Sequence, residues 1–267
     1  MRALIAQLEP RPGDQDANAA TVAAALAGYP DADLAVFPEL FLCGYEPSQA
    51  AAHALAPGAG PLRSLQAVAQ RYGTALVLGF AEALPGGGVA NALACIDRDG
   101  RWAATYRKTH LFGPAERAVF TPGDALRVVT LAGRRIAPLI CFDVEFPEPA
   151  RALARAGAEL LVTIAANMEP YGHDHALAAC ARALDNRRPH LYVNRVGSEA
   201  GLRFVGGSAA IGPDGRPREL LDDEPRLAVV ELLLDDVRTP DDVDYLEHLR
   251  DDLVVEHTST STKEATR

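Results

Sequence analysis

The sequence lacks an excess of basic residues and long apolar runs, and each absence excludes a class of partner. Its 26 Lys and Arg residues are outnumbered by 36 Asp and Glu residues, which gives a formal net charge of −10. Nucleic acids and anionic membrane surfaces both reward basic patches, so neither is favoured. No apolar run reaches the roughly 18 residues that a membrane span requires. We therefore expect no nucleic-acid partner and no membrane partner.

Closely spaced cysteine pairs and metal-binding motifs are also missing. The four cysteines form no Cys-x-x-Cys pair, and a disulfide framework is not expected in a core-rich chain of 267 residues. His173 and His175 are two positions apart, so they do not share a helix face, and no nucleotide-binding loop is present. The first residues do not read as a signal peptide. These features predict a cytoplasmic protein without a metal or cofactor.

Strand-like apolar runs alternate with helical patterns along the chain. The predicted strands cover residues 3–8, 34–37, 75–80, 89–96, 101–106, 128–131, 135–140, 160–164, 190–196 and 228–233, and the predicted helices cover residues 16–26, 61–72, 149–156 and 173–184. Strands joined by both helices and hairpins indicate a mixed α/β protein, and so many strands tend to split into two packed sheets. We expect one domain over residues 1–253 and a disordered polar tail over residues 254–267.

Three chemically active side chains each follow one of the apolar runs. Glu39, Lys108 and Cys141 come directly after predicted buried strands. Taken singly, they could be a solvated loop acid, a surface lysine and a small buried cysteine. Strand ends are, however, where ligands and reacting groups gather in α/β proteins. A base, a cation and a thiol at one such edge would form a nucleophilic hydrolase site, for which we expect a cysteine of low pKa.

The segments around these residues resemble a known family. VFPE ends at Glu39, YRKTH surrounds Lys108, and ICFDVEFPE contains Cys141 on a strand–turn–helix pattern typical of a nucleophile elbow. In this order they resemble the nitrilase superfamily of carbon–nitrogen hydrolases, over residues 2 to about 253. The resemblance implies a Glu39-Lys108-Cys141 triad, a substrate-positioning Glu116 on the loop after Lys108, and the main-chain N–H of Phe142 as an oxyanion donor. Phe142 stands where the family usually has Tyr.

The resemblance also implies an architecture and an assembly. It predicts a four-layer α-β-β-α sandwich that forms a homodimer, or a higher homo-oligomer, through the Ala-rich helices at residues 149–156 and 173–184. Apolar residues at helical spacing near residues 245–253 could reach across the partner or cover the chain's own core. The residues expected to line the pocket are Tyr45, Glu145, Asn167 and Met168. For the segment at 167–168, an ordinary strand-to-helix loop is the alternative.

The function implied by the resemblance is that of a cofactor-free amidase. Such an enzyme would hydrolyse a small aliphatic primary amide to a carboxylic acid and ammonia through a cysteine thioester. The segments are most similar to those of bacterial aliphatic amidases, of the 5-aminopentanamidase or stereoselective type. The alternatives are an N-carbamoyl amino acid hydrolase, a nitrilase, or a catalytically silent nitrilase-like binding protein.

Overall fold

The computed structural model describes residues 1–234, 243, 245–250 and 252–254. These residues form two six-stranded mixed sheets and a two-stranded ribbon. The sheets pack face to face around a shared apolar core, and helices cover their outer faces. The predicted four-layer α-β-β-α sandwich is therefore confirmed.

The first sheet has parallel strands at its centre and antiparallel strands at its sides. In spatial order its strands are β14 (Arg226–Glu231), β1 (Arg2–Gln7), β2 (Leu34–Val36), β3 (Ala75–Ala83), β4 (Val89–Ile96) and β5 (Trp102–Arg107). Its outer layer is formed by α1 (Gln15–Gly28) and α2 (Pro61–Tyr72). Gly73 ends α2 in the left-handed conformation, with φ of 64°, as its sequence position predicts.

The second sheet is built in the same way around three parallel strands. In spatial order its strands are β13 (Pro217–Leu220), β12 (Ala209–Ile211), β9 (His190–Asn194), β8 (Leu160–Ala165), β7 (Arg134–Ile140) and β6 (Val129–Leu131). Its helices are α4 (Pro147–Arg155) and α5 (Gly172–Asn186), and the ribbon consists of β10 (Val196–Glu199) and β11 (Leu202–Val205). A short helix, α3 (Gly113–Val119), follows β5.

The central strands are buried on both faces, which explains why they appear in the sequence as continuous apolar runs. In β1, Ile5 faces the second sheet, whereas Leu4 faces the α1–α2 layer. In β7, Ile140 lies in the core between the sheets and Leu139 packs against α4. Alternate residues of a strand point to opposite faces, so each of these strands supplies apolar side chains to two layers.

Several predicted elements differ from the structure by one to three residues at their ends. The strand predicted over residues 190–196 ends at Asn194, and Val196 already belongs to the ribbon. The Asn194 side chain donates to the main-chain oxygens of Asn167 and Gly206, so its polar group holds two loops where the strand ends. The apolar segment near residue 245 forms a turn over residues 245–248 instead of a helix.

The C-terminal predictions are largely untested. Apart from Val254, the predicted tail lies outside the described residues, and the domain limit at residue 253 stays a prediction. Tyr245 places its ring 4.2 Å from the guanidinium carbon of Arg187, at the end of α5. Across the described part of the chain, no helix is long and apolar enough to cross a bilayer.

Gly79 on β3 permits the closest approach between the sheet and the turn that carries Glu39. A β-carbon at this position would lie 2.3 Å from the main-chain nitrogen of Leu40 and 2.4 Å from the oxygen of Pro38. Both are main-chain atoms held by further hydrogen bonds, since Gly79 N–H donates to Pro38 O and Leu42 N–H donates to Gly79 O. A side chain here must therefore displace the turn.

We predict that Gly79→Ala lowers the free energy of unfolding by about 3 kcal/mol, because overpacking against fixed atoms costs that order of energy. Gly28→Ala is the matched control, since nothing lies within 4 Å of the added carbon. It should leave stability unchanged or raise it by up to about 1 kcal/mol. Chemical denaturation of both variants measures the difference. Equal stability of the two variants would contradict this account of Gly79.

Candidate active site

Glu39, Lys108 and Cys141 are brought together where strand ends of the two sheets meet. Glu39 lies just beyond β2, Lys108 directly after β5, and Cys141 directly after β7. All three are buried, and the side chains of Glu39 and Lys108 have no exposed surface. The alternatives of a solvated acid and a surface lysine are therefore wrong.

The Lys108 ammonium is held between two carboxylates. Its Nζ atom donates to Glu39 Oε1 and to Glu116 Oε1, each at 2.8 Å. Burial lowers the pKa of Lys108, but the neighbouring negative groups, led by Glu39, outweigh it, so the pKa lies well above its ordinary value. Lys108 is therefore a permanent cation, and its charge compensates the two acids beside it.

Glu39 receives a hydrogen bond on each carboxylate oxygen in addition to its contact with Lys108. Asn91 Nδ2 donates to Oε1 at 2.7 Å, and the main-chain N–H of Ala166 donates to Oε2 at 2.8 Å. The sequence reasoning missed Asn91. The available signal was a polar side chain within β4, whose residues are otherwise apolar and buried. Three donors on one carboxylate fix its orientation.

Glu116 lies on helix α3, not on a loop as predicted. Its Oε1 accepts from the Tyr45 hydroxyl at 2.5 Å as well as from Lys108, and its Oε2 accepts from the N–H of Phe112 at 2.8 Å. Burial and the negative charge of Glu39 raise the pKa of Glu116 above its ordinary value, and the Lys108 charge and the two side-chain donors offset this only in part. Tyr45, predicted to line the pocket, is thus a buried donor, and burial keeps its own pKa well above the ordinary value.

Cys141 has the geometry of an elbow but not the predicted low pKa. Its φ of 48° is left-handed, which is rare for a residue with a β-carbon, and it opens a single helical turn, Cys141–Glu145. Burial and the negative charge of Glu39 raise the pKa of the thiol well above its ordinary value, and Lys108 offsets this only in part. The resting group is a neutral thiol with a carboxylate nearby. The main-chain N–H of Ala166 interacts with both the Glu39 carboxylate and the Cys141 thiol.

Asp143, which the sequence reasoning also missed, fastens the Cys141 turn to the segment after Lys108. Its carboxylate accepts from the main-chain N–H of Ile140 at 3.1 Å and from that of His110 at 2.9 Å. It also accepts from the hydroxyls of Tyr106 at 2.8 Å and Thr109 at 2.7 Å. The buried acid therefore joins β5 of one sheet to β7 of the other. Its signal in the sequence was an acid between two apolar residues, two positions after the cysteine.

The other predicted residues have different surroundings. Phe142 packs edge-to-face on Phe112 and Phe146, with ring centroids 5.4 Å and 5.0 Å away. Its main-chain N–H is in the first turn of a helix, where such groups have no acceptor within the helix, as an oxyanion donor requires. Glu145 is partly exposed and lies 3.2 Å from His175 Nε2.

Asn167 and Met168 are both buried beside the site. The main-chain N–H of Asn167 donates to Asn194 Oδ1 at 2.8 Å, and Met168 belongs to an apolar cluster that includes Tyr45 and Phe204. Within the described ranges, no group of three or more His, Cys, Asp and Glu side chains could hold a metal ion. The expected absence of a cofactor stays a prediction.

The sequence model of the carbon–nitrogen hydrolases matches residues 2–239. The chain belongs to this family. It is 43% identical to an (R)-stereoselective amidase of a Pseudomonas species over 256 residues, which are 94% of this chain and 92% of that protein. It is 41% identical to a hydrolase of Pseudomonas protegens over 218 residues, covering 80% and 76% of the two chains. The predicted resemblance is confirmed, and this carbon–nitrogen hydrolase acts on carbon–nitrogen bonds.

Solved structures of amidases share the fold of this carbon–nitrogen hydrolase. The crystal structure of an amidase from Nesterenkonia is 36% identical with a TM-score of 0.81, and the match covers 94% of this chain and 93% of that one. A variant of that amidase has been solved in complex with butyramide. Another carries the acetamide moiety of fluoroacetamide covalently attached to its active-site cysteine. These similarities support amide hydrolysis by this chain.

Proposed function

We propose that the protein is an amidase that hydrolyses a small, uncharged aliphatic primary amide to a carboxylic acid and ammonia. The observation that carries the proposal is the Lys108 ammonium, which bonds to Glu39 and Glu116 at 2.8 Å and whose charge acts on the Cys141 thiol. Glu39, Lys108 and Cys141 supply a base, an electrophilic cation and a nucleophile, so the reaction needs no further group. A silent binding protein would have no use for a buried charge cluster of this kind.

Acylation would begin with proton transfer from the Cys141 thiol to Glu39. The thiolate then attacks the amide carbon, forming a carbon–sulfur bond and a negatively charged oxygen. Lys108 and the main-chain N–H of Phe142 stabilise that oxyanion. As the tetrahedral intermediate collapses, the carbon–nitrogen bond breaks, and the leaving nitrogen takes the proton from Glu39 and departs as ammonia.

Deacylation would use the same groups in the reverse sense. Glu39, again a carboxylate, removes a proton from water as the water attacks the thioester carbon. The carbon–sulfur bond breaks, and the sulfur recovers the proton from Glu39. The products are the free carboxylic acid and the neutral Cys141 thiol, which is the protonation state that burial favours at rest.

The charges around Cys141 favour a neutral substrate over an N-carbamoyl amino acid. The charged groups that act most strongly on its thiol are Glu39, Lys108 and Glu116, which are two acids and one cation. The cation already bonds to both acids. A substrate carboxylate near them would face like charges at short range, which is unfavourable in a buried site. The butyramide complex of the Nesterenkonia amidase is a precedent for a small neutral amide.

We predict that Cys141→Ala, Glu39→Gln and Lys108→Met each lower kcat for butyramide by about 10⁴-fold or more, because members of a catalytic unit fail together. Ammonia release measures activity, and thermal unfolding confirms that each variant is folded. The double variant Glu39→Gln/Lys108→Met should be about as inactive as either single one. A multiplicative loss in the double variant, or substantial activity in Cys141→Ala, would contradict the triad.

The substrate class is tested by ammonia release from a panel of compounds. We expect butyramide to be hydrolysed with a kcat/KM at least about a hundredfold above those of N-carbamoyl alanine and butyronitrile, a difference on the order of 3 kcal/mol in the barrier. Preference for the carbamoyl compound or for the nitrile would identify the alternative carbon–nitrogen hydrolase activity. No turnover of any compound, by folded protein with an intact Cys141, would favour the binding protein.

We further propose a homodimer that packs through α4 and α5. In support, α5 presents Leu177, which is 63% exposed, on the outer surface of the sandwich. We predict that the full chain is a dimer by light scattering at micromolar concentration and that Leu177→Glu shifts it to monomer. Leu220→Glu is the matched control, because Leu220 is 62% exposed and belongs to β13 instead of to either helix. A monomeric full chain would contradict the proposal, as would dissociation by the control alone.

A further inference from the structure

Arg195 is a wholly buried cation that the proposed mechanism does not use. It lies between β9 and the β10–β11 ribbon, apart from the Lys108 cluster. We propose that the ion pair of Arg195 with Glu199 is a positioning device for Glu116, acting through the hydroxyl of Tyr45. This inference rests on the proposed function only in that Glu116 and Lys108 serve the reaction at Cys141.

The ion pair is buried on both sides. Arg195 Nη1 lies 2.5 Å from Glu199 Oε2, and the side chains are 0% and 6% exposed. The guanidinium carbon is 3.9 Å from the centroid of the Phe204 ring, so the cation is stacked as well as paired. A buried pair is weak evidence for added stability, since removal from water offsets the attraction between the charges. Fixing the position of a neighbouring group is a role that such a pair can perform.

The Glu199 carboxylate contacts the loop that follows Glu39 in the sequence. Its Oε2 accepts the main-chain N–H of Tyr45 at 3.0 Å. Gly44 has φ of +86°, and a β-carbon there would lie 2.5 Å from Glu199 Oε1, so the carboxylate packs directly on the backbone of this loop. The ion pair therefore fixes the main chain of Tyr45.

Tyr45 connects the ion pair to the cluster of Glu39, Lys108 and Glu116. Its ring meets Phe204 edge-on, with centroids 6.0 Å apart, so the same aromatic ring contacts both Arg195 and Tyr45. Its hydroxyl donates to Glu116 Oε1 at 2.5 Å, the oxygen that also accepts from Lys108. The path from the ribbon to Lys108 thus consists of Glu199, Tyr45 and Glu116, and each link is a hydrogen bond of known partners.

Two readouts test this path. The first is kcat/KM for butyramide in Tyr45→Phe, Glu199→Gln and the double variant. Loss of a hydrogen bond to a charged group predicts about a tenfold loss in each single variant. Because Glu199 acts through Tyr45, the double variant should be no worse than Tyr45→Phe to within about twofold, whereas independent effects would multiply to about a hundredfold.

The second readout is the rate of Cys141 alkylation by iodoacetamide, followed by peptide mass spectrometry. Each single variant should slow it by about the same tenfold, because the groups that orient an amide at Cys141 are loosened. Simple destabilisation would do the opposite, since opening of the protein exposes thiols. The buried Cys95, whose pKa burial raises to about 12, reports such opening in the same experiment.

Asp214→Asn is the matched control. Asp214 forms an ion pair with Arg218 at 2.9 Å and the same i,i+4 spacing, but on the exposed β12–β13 hairpin. Its rates should stay within about twofold of wild type. If Glu199→Gln does not fold, Glu199→Asp takes its place. This variant keeps the negative charge but moves the carboxylate away from Tyr45, so the same tenfold loss is expected.

Three outcomes would overturn the proposal: Glu199 variants with wild-type rates, multiplicative losses in the double variant, or faster alkylation of Cys141 together with Cys95. Failure of the proposed function would give a different set of results. If the wild-type protein hydrolyses no amide, while Cys141 alkylation slows about tenfold in each single variant and no further in the double variant, amide hydrolysis is wrong and the positioning path stands.

Discussion

The buried ammonium of Lys108 is the charge on which the rest of the site depends. Glu39 and Glu116 are both buried, and each directs a carboxylate oxygen to within 2.8 Å of the same nitrogen. Without the cation, two like charges would share a space from which water is excluded, and at least one acid would take up a proton. The cation compensates this repulsion, and it does so beside a thiol whose pKa burial raises.

The fold stabilises this arrangement by supplying donors from every side. Glu39 is held by Asn91 of the first sheet and by the main chain of Ala166, just beyond β8 of the second. Asp143 joins the Cys141 turn to the segment that follows Lys108. Displacement of one element therefore disturbs the partners of another. The close contact at Gly79 belongs to the same constraint, because it sets how near the Glu39 turn lies to its sheet.

The sequence predicted features that depend on neighbouring residues, but not those that depend on contacts between distant parts of the chain. Glu39 and Cys141 follow apolar runs, which are what strands buried on both faces look like. Lys108 instead follows β5, whose residues are mostly half-buried rather than buried as predicted. The three residues could be assigned as a triad because the segments around them resemble those of a known family. The hydrogen-bond partners of Asn91 and of the Tyr45 hydroxyl could not be predicted, because they lie 52 and 71 residues away in the chain. The low pKa expected for Cys141 was wrong for the same reason. Its burial depends on tertiary packing, which outweighs the local turn geometry.

A neutral thiol beside a carboxylate also limits what the protein must do in each reaction cycle. Moving the proton from Cys141 to Glu39 relocates one negative charge within the field of Lys108, and the net charge of the buried cluster does not change. The cost of removing those charges from water is therefore incurred once, on folding, and not at each turnover. The shift does require Lys108 to keep its position, because its charge acts on both Glu39 and the Cys141 thiol. Fixed partners on Glu116 help to hold it there, since Glu116 is the second anchor of the ammonium.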